Sequence, residues 1–217
     1  MNNMEQARFN MVEQQIRPWD VLDSEVLDLL KKVKREHFVP VEQRALAFMD
    51  IEIPLGHDVK MWSPKLEARA LQALALKHGD QVLEVGTGSG YLTALLASLA
   101  KHVTSIEIVA ALSAVAERNL ASYHIDNVTL YVGDAANGWD AMQYDAIVLT
   151  GSVPMKPNAL LNNLKIGGRL FAVIGDAPAM SACLFTRKST SEFESTTLFE
   201  TSVEPLLNVQ QPQRFVF

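Results

Sequence analysis

The sequence predicts an α/β fold: a doubly wound, mostly parallel sheet with a helical attachment at its N-terminal end. Three observations carry that expectation. From Gln81 onward short apolar runs alternate with longer helical stretches, and this rhythm builds parallel sheets covered on both faces. The first of these runs passes straight into a glycine-rich turn, Val85-Gly86-Thr87-Gly88-Ser89-Gly90, as strand-to-helix turns at ligand sites do. The residues before Gln81 lack the rhythm, and a first section from Met1 to about Pro54 reads as helical and fairly charged.

In the attachment, Asp23-Ser24 offers an N-cap, and Val26, Leu29, Leu30 and Val33 follow on one helix face. Phe38-Val39-Pro40 is expected to end that helix, because the residue before a proline avoids helical geometry. A second helix opens at Ser63-Pro64, with Ser63 as N-cap and Pro64 in the first helical position. Leu66, Ala70 and Leu74 share a side of it, and Gly79 is its expected stop.

Strands are expected at 81–85, 103–107, 128–132, 144–150, 169–175 and 183–187, with later ones at 196–202 and 214–217. Helices at 91–100, 110–123 and 157–164 separate the early members, and Lys165-Ile166-Gly167-Gly168 reads as a turn leading into the fifth strand. The whole chain, 1–217, is expected to form one domain, with 1–80 as attachment and 81–217 as α/β core.

Composition narrows the function. With 48% hydrophobic residues the 217-residue chain can bury a substantial core, which excludes a disordered tail. Nineteen Lys and Arg against 25 Asp and Glu leave a net charge of -6, which repels phosphate backbones and argues against a nucleic-acid partner. The one cysteine, Cys183, makes no intrachain disulfide or thiolate cluster, and its apolar surroundings mark it as core. The histidines have no metal-ligand spacing. A polar start, Met1-Asn2-Asn3-Met4-Glu5-Gln6, gives no leader pattern, and no apolar run approaches a membrane span. A soluble, cytoplasmic protein without metal or membrane partner is expected.

The chemistry concentrates around the glycine turn. Glycines there allow close backbone approach, and the following helix N-terminus adds donors and positive potential. The spacing is Gly-x-Gly-x-Gly, not the nicotinamide fingerprint, and no Walker lysine follows. Glu107 ends the next strand, where a carboxylate can accept from both ribose hydroxyls, and Asp134 in Gly133-Asp134-Ala135 closes the third, suited to an adenine amine. The set Glu84, Gly86, Gly88, Gly90, Glu107 and Asp134 resembles the S-adenosylmethionine site of class I methyltransferases with their Rossmann-like sheet. That resemblance implies cofactor contacts from Glu84, Gly86, Thr87, Gly88, Ser89, Gly90, Glu107, Asp134 and Ala135.

Over nearly its whole length the chain is also similar to the protein-L-isoaspartate O-methyltransferase family. Met11-Val12-Glu13-Gln14-Gln15-Ile16 resembles that family's N-terminal helix, and Val33-Lys34-Arg35-Glu36-His37-Phe38-Val39-Pro40 its "V-P-R-E-x-F-V-P" segment. Ala47-Phe48-Met49-Asp50 and Ile53-Pro54-Leu55-Gly56 resemble "A-Y-x-D-x-P-L-P-I-G", and Ser105-Ile106-Glu107, Tyr144-Asp145-Ala146-Ile147 and Gly167-Gly168-Arg169-Leu170 continue the likeness. The resemblance implies methylation of the free carboxyl of L-isoaspartyl residues in damaged protein.

The acceptor side departs from the family. Its "G-x-G-Q-T-I-S-x-P" stretch becomes Gly56-His57-Asp58-Val59-Lys60-Met61-Trp62-Ser63-Pro64, with Trp62 in the serine position and Ser63 one residue later. Leu149-Thr150-Gly151-Ser152 likewise replaces "V-T-A-A". Ser63 is therefore either the acceptor-side catalytic candidate or a helix cap. Trp62 is a pocket wall or packing, Lys60 an anion counter-charge or a solvated lysine, and His57-Asp58 a weak acid–base pair. The partner is a protein or peptide carboxylate, or a small-molecule acceptor of the same fold's methyltransferases. A non-catalytic S-adenosylmethionine-binding regulator is the third reading.

Overall fold

The protein's computed structural model describes residues 3–212. The N-terminal section runs from α1 (Asn3–Asn10) through a π-helical turn at Met11–Ile16 and a 3-10 turn at Arg17–Trp19 to α2 (Ser24–Lys32). Asp23 caps α2 as expected, its carboxylate accepting from the Glu25 and Val26 amides at 2.9 and 3.3 Å. The helix does not continue to Pro40. Val33 is already extended (φ −82°, ψ 114°), and a separate 3-10 turn at Arg35–His37 follows. That break turns Arg35 and Glu36 inward, where Arg35 pairs with Glu67 and Glu36 with Arg8; buried ion pairs outweigh the local preference for one longer helix.

Two short strands not expected from the sequence come next, β1 (Ile53–Gly56) and β2 (Val59–Met61), joined antiparallel. His57 and Asp58 form their turn, both left-handed at φ 55° and 59°. Then α3 (Pro64–Leu74) starts where Ser63-Pro64 predicts, but Ser63 contributes its carbonyl, not its hydroxyl: the Leu66 and Glu67 amides donate to it at 3.1 and 3.2 Å. The helix stops at Leu74, before Gly79, because the Arg169 guanidinium satisfies its end, donating to the Leu74 and Ala75 carbonyls at 2.7 and 2.9 Å.

The core follows the predicted alternation. It comprises β3 (Gln81–Val85), α4 (Tyr91–Leu99), β4 (His102–Glu107), α5 (Ala110–Ser122), β5 (Val128–Val132), β6 (Tyr144–Val153), α6 (Asn158–Asn162), β7 (Leu164–Asp176), β8 (Ala179–Arg187) and β9 (Phe193–Thr201). The sheet order is β5-β4-β3-β6-β7-β8-β9. The first four pairings are parallel and the last two antiparallel. The turn expected at Lys165–Gly168 lies inside β7 as an irregularity, since Tyr144 pairs with Leu164 and Ala146 already pairs with Arg169; α6 is correspondingly shorter than 157–164. The strand expected at 214–217 lies outside the described residues.

Both faces of the sheet's centre, at β3, β4 and β6, are buried, whereas the edge strands β5 and β9 are partly exposed. This explains why a central parallel strand such as β6 reads as a near-continuous apolar run. On one face Val82, Val103, Val148 and Phe171 pack against Met11, Ile16, Leu30, Phe38 and Leu71 of the attachment. On the other, Leu83, Val85, Ile147 and Leu149 pack against Leu160 and Leu170. Each fully buried leucine contributes roughly 1.5–3 kcal/mol. The attachment thus covers a sheet face and extends past the ends of β3 and β6. Among the described residues no helix is long and apolar enough to cross a membrane.

Candidate functional site

The carboxyl ends of β3, β4, β5 and β6 open into one cleft of about 180 Å³, against about 60 Å³ for a smaller cavity near Val153–Leu160. At β3 the chain turns through Gly86 (φ 96°) and Gly88 (φ 55°). A Cβ on Gly86 would stand 2.1 Å from the Thr150 hydroxyl, which donates to the Val85 and Gly86 carbonyls at 2.9 and 2.7 Å. Gly90 (φ 82°) has a different reason to be glycine: a Cβ there would meet Ala116 of α5 at 3.2 Å. Its small size serves helix packing, and Gly90 does not line the cleft.

Glu107, at the end of β4, is almost fully buried and held by two backbone amides. Gly88 donates to one oxygen at 2.8 Å and Val109 to the other at 2.9 Å. Each carboxylate oxygen keeps a second lone pair. Asp134, exposed at the end of β5, accepts from the Ala136 amide at 3.0 Å and from the Asn208 side chain at 2.8 Å. Thr87, Ser89 and Ala135 join Gly86, Gly88, Glu107 and Asp134 on the lining.

Glu84 is set back from this cleft. Strand alternation turns it to the opposite face, fully buried, where Thr93 and Ser105 donate to one oxygen at 2.5 and 2.6 Å. Ser105 also touches Thr87 at 2.6 Å, so the chain Thr93–Glu84–Ser105–Thr87 braces the glycine turn from below. Burial pushes the Glu84 carboxyl up to about 8, with the Ser105 and Thr93 hydroxyls pulling it partly back. The expected cofactor contact from Glu84 is therefore corrected to support of the loop.

The charges on the lining select among cofactors. Five carboxylates, Asp58, Glu67, Glu107, Asp134 and Glu204, face one lysine, Lys60. Such a cleft disfavours phosphates and suits hydroxyls, an amine and a cationic sulfonium.

A family model described as protein-L-isoaspartate(D-aspartate) O-methyltransferase matches residues 6–211. The chain belongs to this family. A protein-L-isoaspartate O-methyltransferase of Rhodopseudomonas palustris is 38% identical, with 94% of this chain and 95% of that one aligned. One of Marinobacter nauticus is 36% identical over 94% of each chain. In fold, the chain is similar to a structure described as a Plasmodium falciparum protein-L-isoaspartate O-methyltransferase in complex with S-adenosyl-L-homocysteine. That match has a TM-score of 0.79 at 22% identity, covering 95% of this chain and 99% of the other.

The segment expected to form the acceptor side, 57–62, lies along the cleft. The β1–β2 hairpin forms one wall through Leu55, His57, Asp58, Val59, Lys60 and Met61. His57 and Asp58 stand side by side at its tip, and among the described residues no hydrogen bond joins their side chains. Lys60 is paired across the cleft with Glu204 at 2.7 Å and with Glu52 at 3.8 Å. Ser63 is half-buried and does not line the cleft, so the loop has not shifted to bring its hydroxyl forward. Trp62 does line it, buried edge-on against Phe171 at 6.1 Å. Behind it lies Glu67, paired with Arg35, whose guanidinium also sits 5.1 Å from the Tyr91 ring. Burial raises the Glu67 carboxyl and Arg35 pulls it down.

Sequence reasoning missed Glu67, Ile108 and the segment Glu204–Leu207, all on the lining. Only Ile108 had a local signal, as the residue after Glu107. Glu67, in the first turn of α3, carries no local sign of its burial, and nothing local places 204–207 beside Ser152. Cys183 is buried in β8, as expected for core.

Proposed function

We infer that this chain is an S-adenosylmethionine-dependent O-methyltransferase that esterifies the free carboxyl of L-isoaspartyl residues in damaged proteins. The observation that carries the reading is the single cleft joining the glycine turn, Glu107 and Asp134 in a chain matched by the isoaspartate O-methyltransferase family over residues 6–211. Glu107 would accept from the ribose hydroxyls with its free lone pairs, Asp134 from the adenine amine, and the backbone at Gly86–Ser89 and Ala135 would bed the cofactor. Bound there, S-adenosylmethionine supplies an electrophilic methyl carbon on a sulfonium.

The residues of this chain then have an aligning task. An acceptor carboxylate is ionised at pH 7 and needs no base. Rate comes from holding it in line and excluding water, worth up to roughly 7–11 kcal/mol. Leu55, Met61, Trp62 and Leu206 supply the dry wall, and Lys60 is the cation at hand for the acceptor. The attachment and the core work as one unit, because the acceptor wall comes from residues before Gln81 and the cofactor bed from residues after it. The acidic chain with a single buried cysteine suits the reducing cytoplasm.

The test is transfer of labelled methyl to an isoaspartyl peptide, with the aspartyl isomer as control. Transfer to the first and not the second is the expected result. One observation favours a second reading, a different acceptor: Lys60, the cleft's one lysine, is already neutralised by Glu204. Calorimetric binding of S-adenosylmethionine without transfer to the isoaspartyl peptide would select it.

A further inference from the structure

We propose that Asn208 is a positioning residue that fixes the Asp134 carboxylate for an amino-purine, and so sets the cofactor's base specificity. This rests on the reading above that Asp134 receives the adenine.

The segment carrying Asn208 is anchored like an added strand edge. The Ser152 amide donates to the Glu204 carbonyl and the Leu206 amide donates to the Ser152 carbonyl, each at 2.9 Å, and the Ser152 hydroxyl donates to Val203 at 3.2 Å. This brings the chain across the mouth of the cleft to Asn208, which is left-handed at φ 60°. Asparagine tolerates that conformation better than most residues, and its amide brings two donors. Its Nδ2 donates to Asp134 Oδ2 at 2.8 Å, and its carbonyl accepts from Asn137 Nδ2 at 2.8 Å. Asn208 is thereby clamped between the segment that carries it and the loop that carries Asp134.

Asp134 has two partners, Asn208 on one oxygen and the Ala136 amide on the other. An exposed aspartate with one backbone contact would rotate; the second, charge-assisted bond fixes the carboxylate plane. It leaves one acceptor site free on each oxygen. A purine amine can donate there. A purine carbonyl would set acceptor against acceptor, and a site arranged to accept from an amine disfavours the analogue that lacks it.

The experiment is titration calorimetry of the full chain with S-adenosyl-L-homocysteine and with S-inosyl-L-homocysteine, in which a carbonyl replaces the amine. Wild type is expected to prefer the adenosyl compound by about tenfold or more. Asn208→Gly keeps the left-handed turn without strain and removes only the side chain; it should cut that ratio by about three- to tenfold. Asn208→Asp, placing a second carboxylate against Asp134, should cut it further. Equal weakening of both ligands in Asn208→Gly would mean a structural clip only and overturn the proposal. In the parallel variant Asp134→Ala the ratio should collapse; a ratio unchanged there would instead overturn the adenine reading on which the proposal rests.

Discussion

The two ends of the cleft, proposed to take the cofactor and the acceptor, are built by different means. At the proposed cofactor end, backbone amides hold Glu107 through Gly88 and Val109, and Asp134 is shared between the Ala136 amide and the Asn208 side chain. The glycine turn is locked by Thr150 from the neighbouring strand and braced by the Glu84 chain. At the acceptor end, side chains hold one another across long sequence separations, Lys60 to Glu204 and Arg35 to Glu67. A group held by amides alone, as Glu107 is, stays in place when neighbouring side chains change. Groups held by side chains can be re-sorted by one or two substitutions, so on the proposed reading the acceptor wall is the end more open to change.

The largest break in this comparison should come from Glu107→Ala. It removes the acceptor for the ribose hydroxyls and leaves the Gly88 amide without its partner. Losing about two hydrogen bonds to a carboxylate costs on the order of 3 kcal/mol, or roughly a hundredfold in affinity for S-adenosyl-L-homocysteine by calorimetry. A loss no larger than that of an acceptor-side variant would mean the cofactor end is not organised around this acid.

How much of this was legible follows the same division. The glycine turn, Glu107 and Asp134 announce themselves through strand periodicity and their places at strand ends, so short windows sufficed. The β1–β2 hairpin did not, because His57 and Asp58 take left-handed conformations usually signalled by glycine or asparagine. The alternation of Ile53 and Leu55, then Val59 and Met61, around Gly56 was the available hint. The ends of α2 and α3 are set by Arg35 and Arg169 reaching distant partners, which no local rule contains. Glu84 was misplaced by treating motif membership as contact; period-two alternation along β3 already put it on the other face from Val85.

Glu84 gives the intermediate effect and sharpens the comparison by separating support from contact. Its folded value of about 8 lies above the ordinary 4.5, so folding takes up a proton between those limits. The native state is therefore favoured at the acid side, and stability falls as pH rises, by up to about 1.4 kcal/mol per unit across that window. Glu84→Gln mimics the protonated acid and should remove this slope. Urea unfolding of both proteins at several pH values checks it. A wild-type slope no steeper than that of the glutamine variant would show Glu84 to be ionised and the brace to be built otherwise.

The smallest effect should come from Lys60→Met, and it bears most directly on how independent the two ends are. Methionine keeps an apolar stem against the wall and removes the charge. The hydrogen bond that Lys60 donates to Glu204 favours the charged lysine, so the wild-type cleft carries a cation here at neutral pH. Because that cation is exposed and shared with Glu204 and Glu52, its pull on an anionic acceptor is screened. The KM for an isoaspartyl peptide should rise about two- to fivefold, kcat should hold, and the difference should fade in about 1 M salt, where the screening length drops to roughly 3 Å. Affinity for S-adenosyl-L-homocysteine should stay within about twofold, since no amide at the cofactor end depends on this side chain. If the cofactor affinity moved more than the peptide KM, the link from Lys60 through Glu204 to the segment bearing Asn208 would be carrying energy between the ends, and the cleft would have to be treated as one coupled surface.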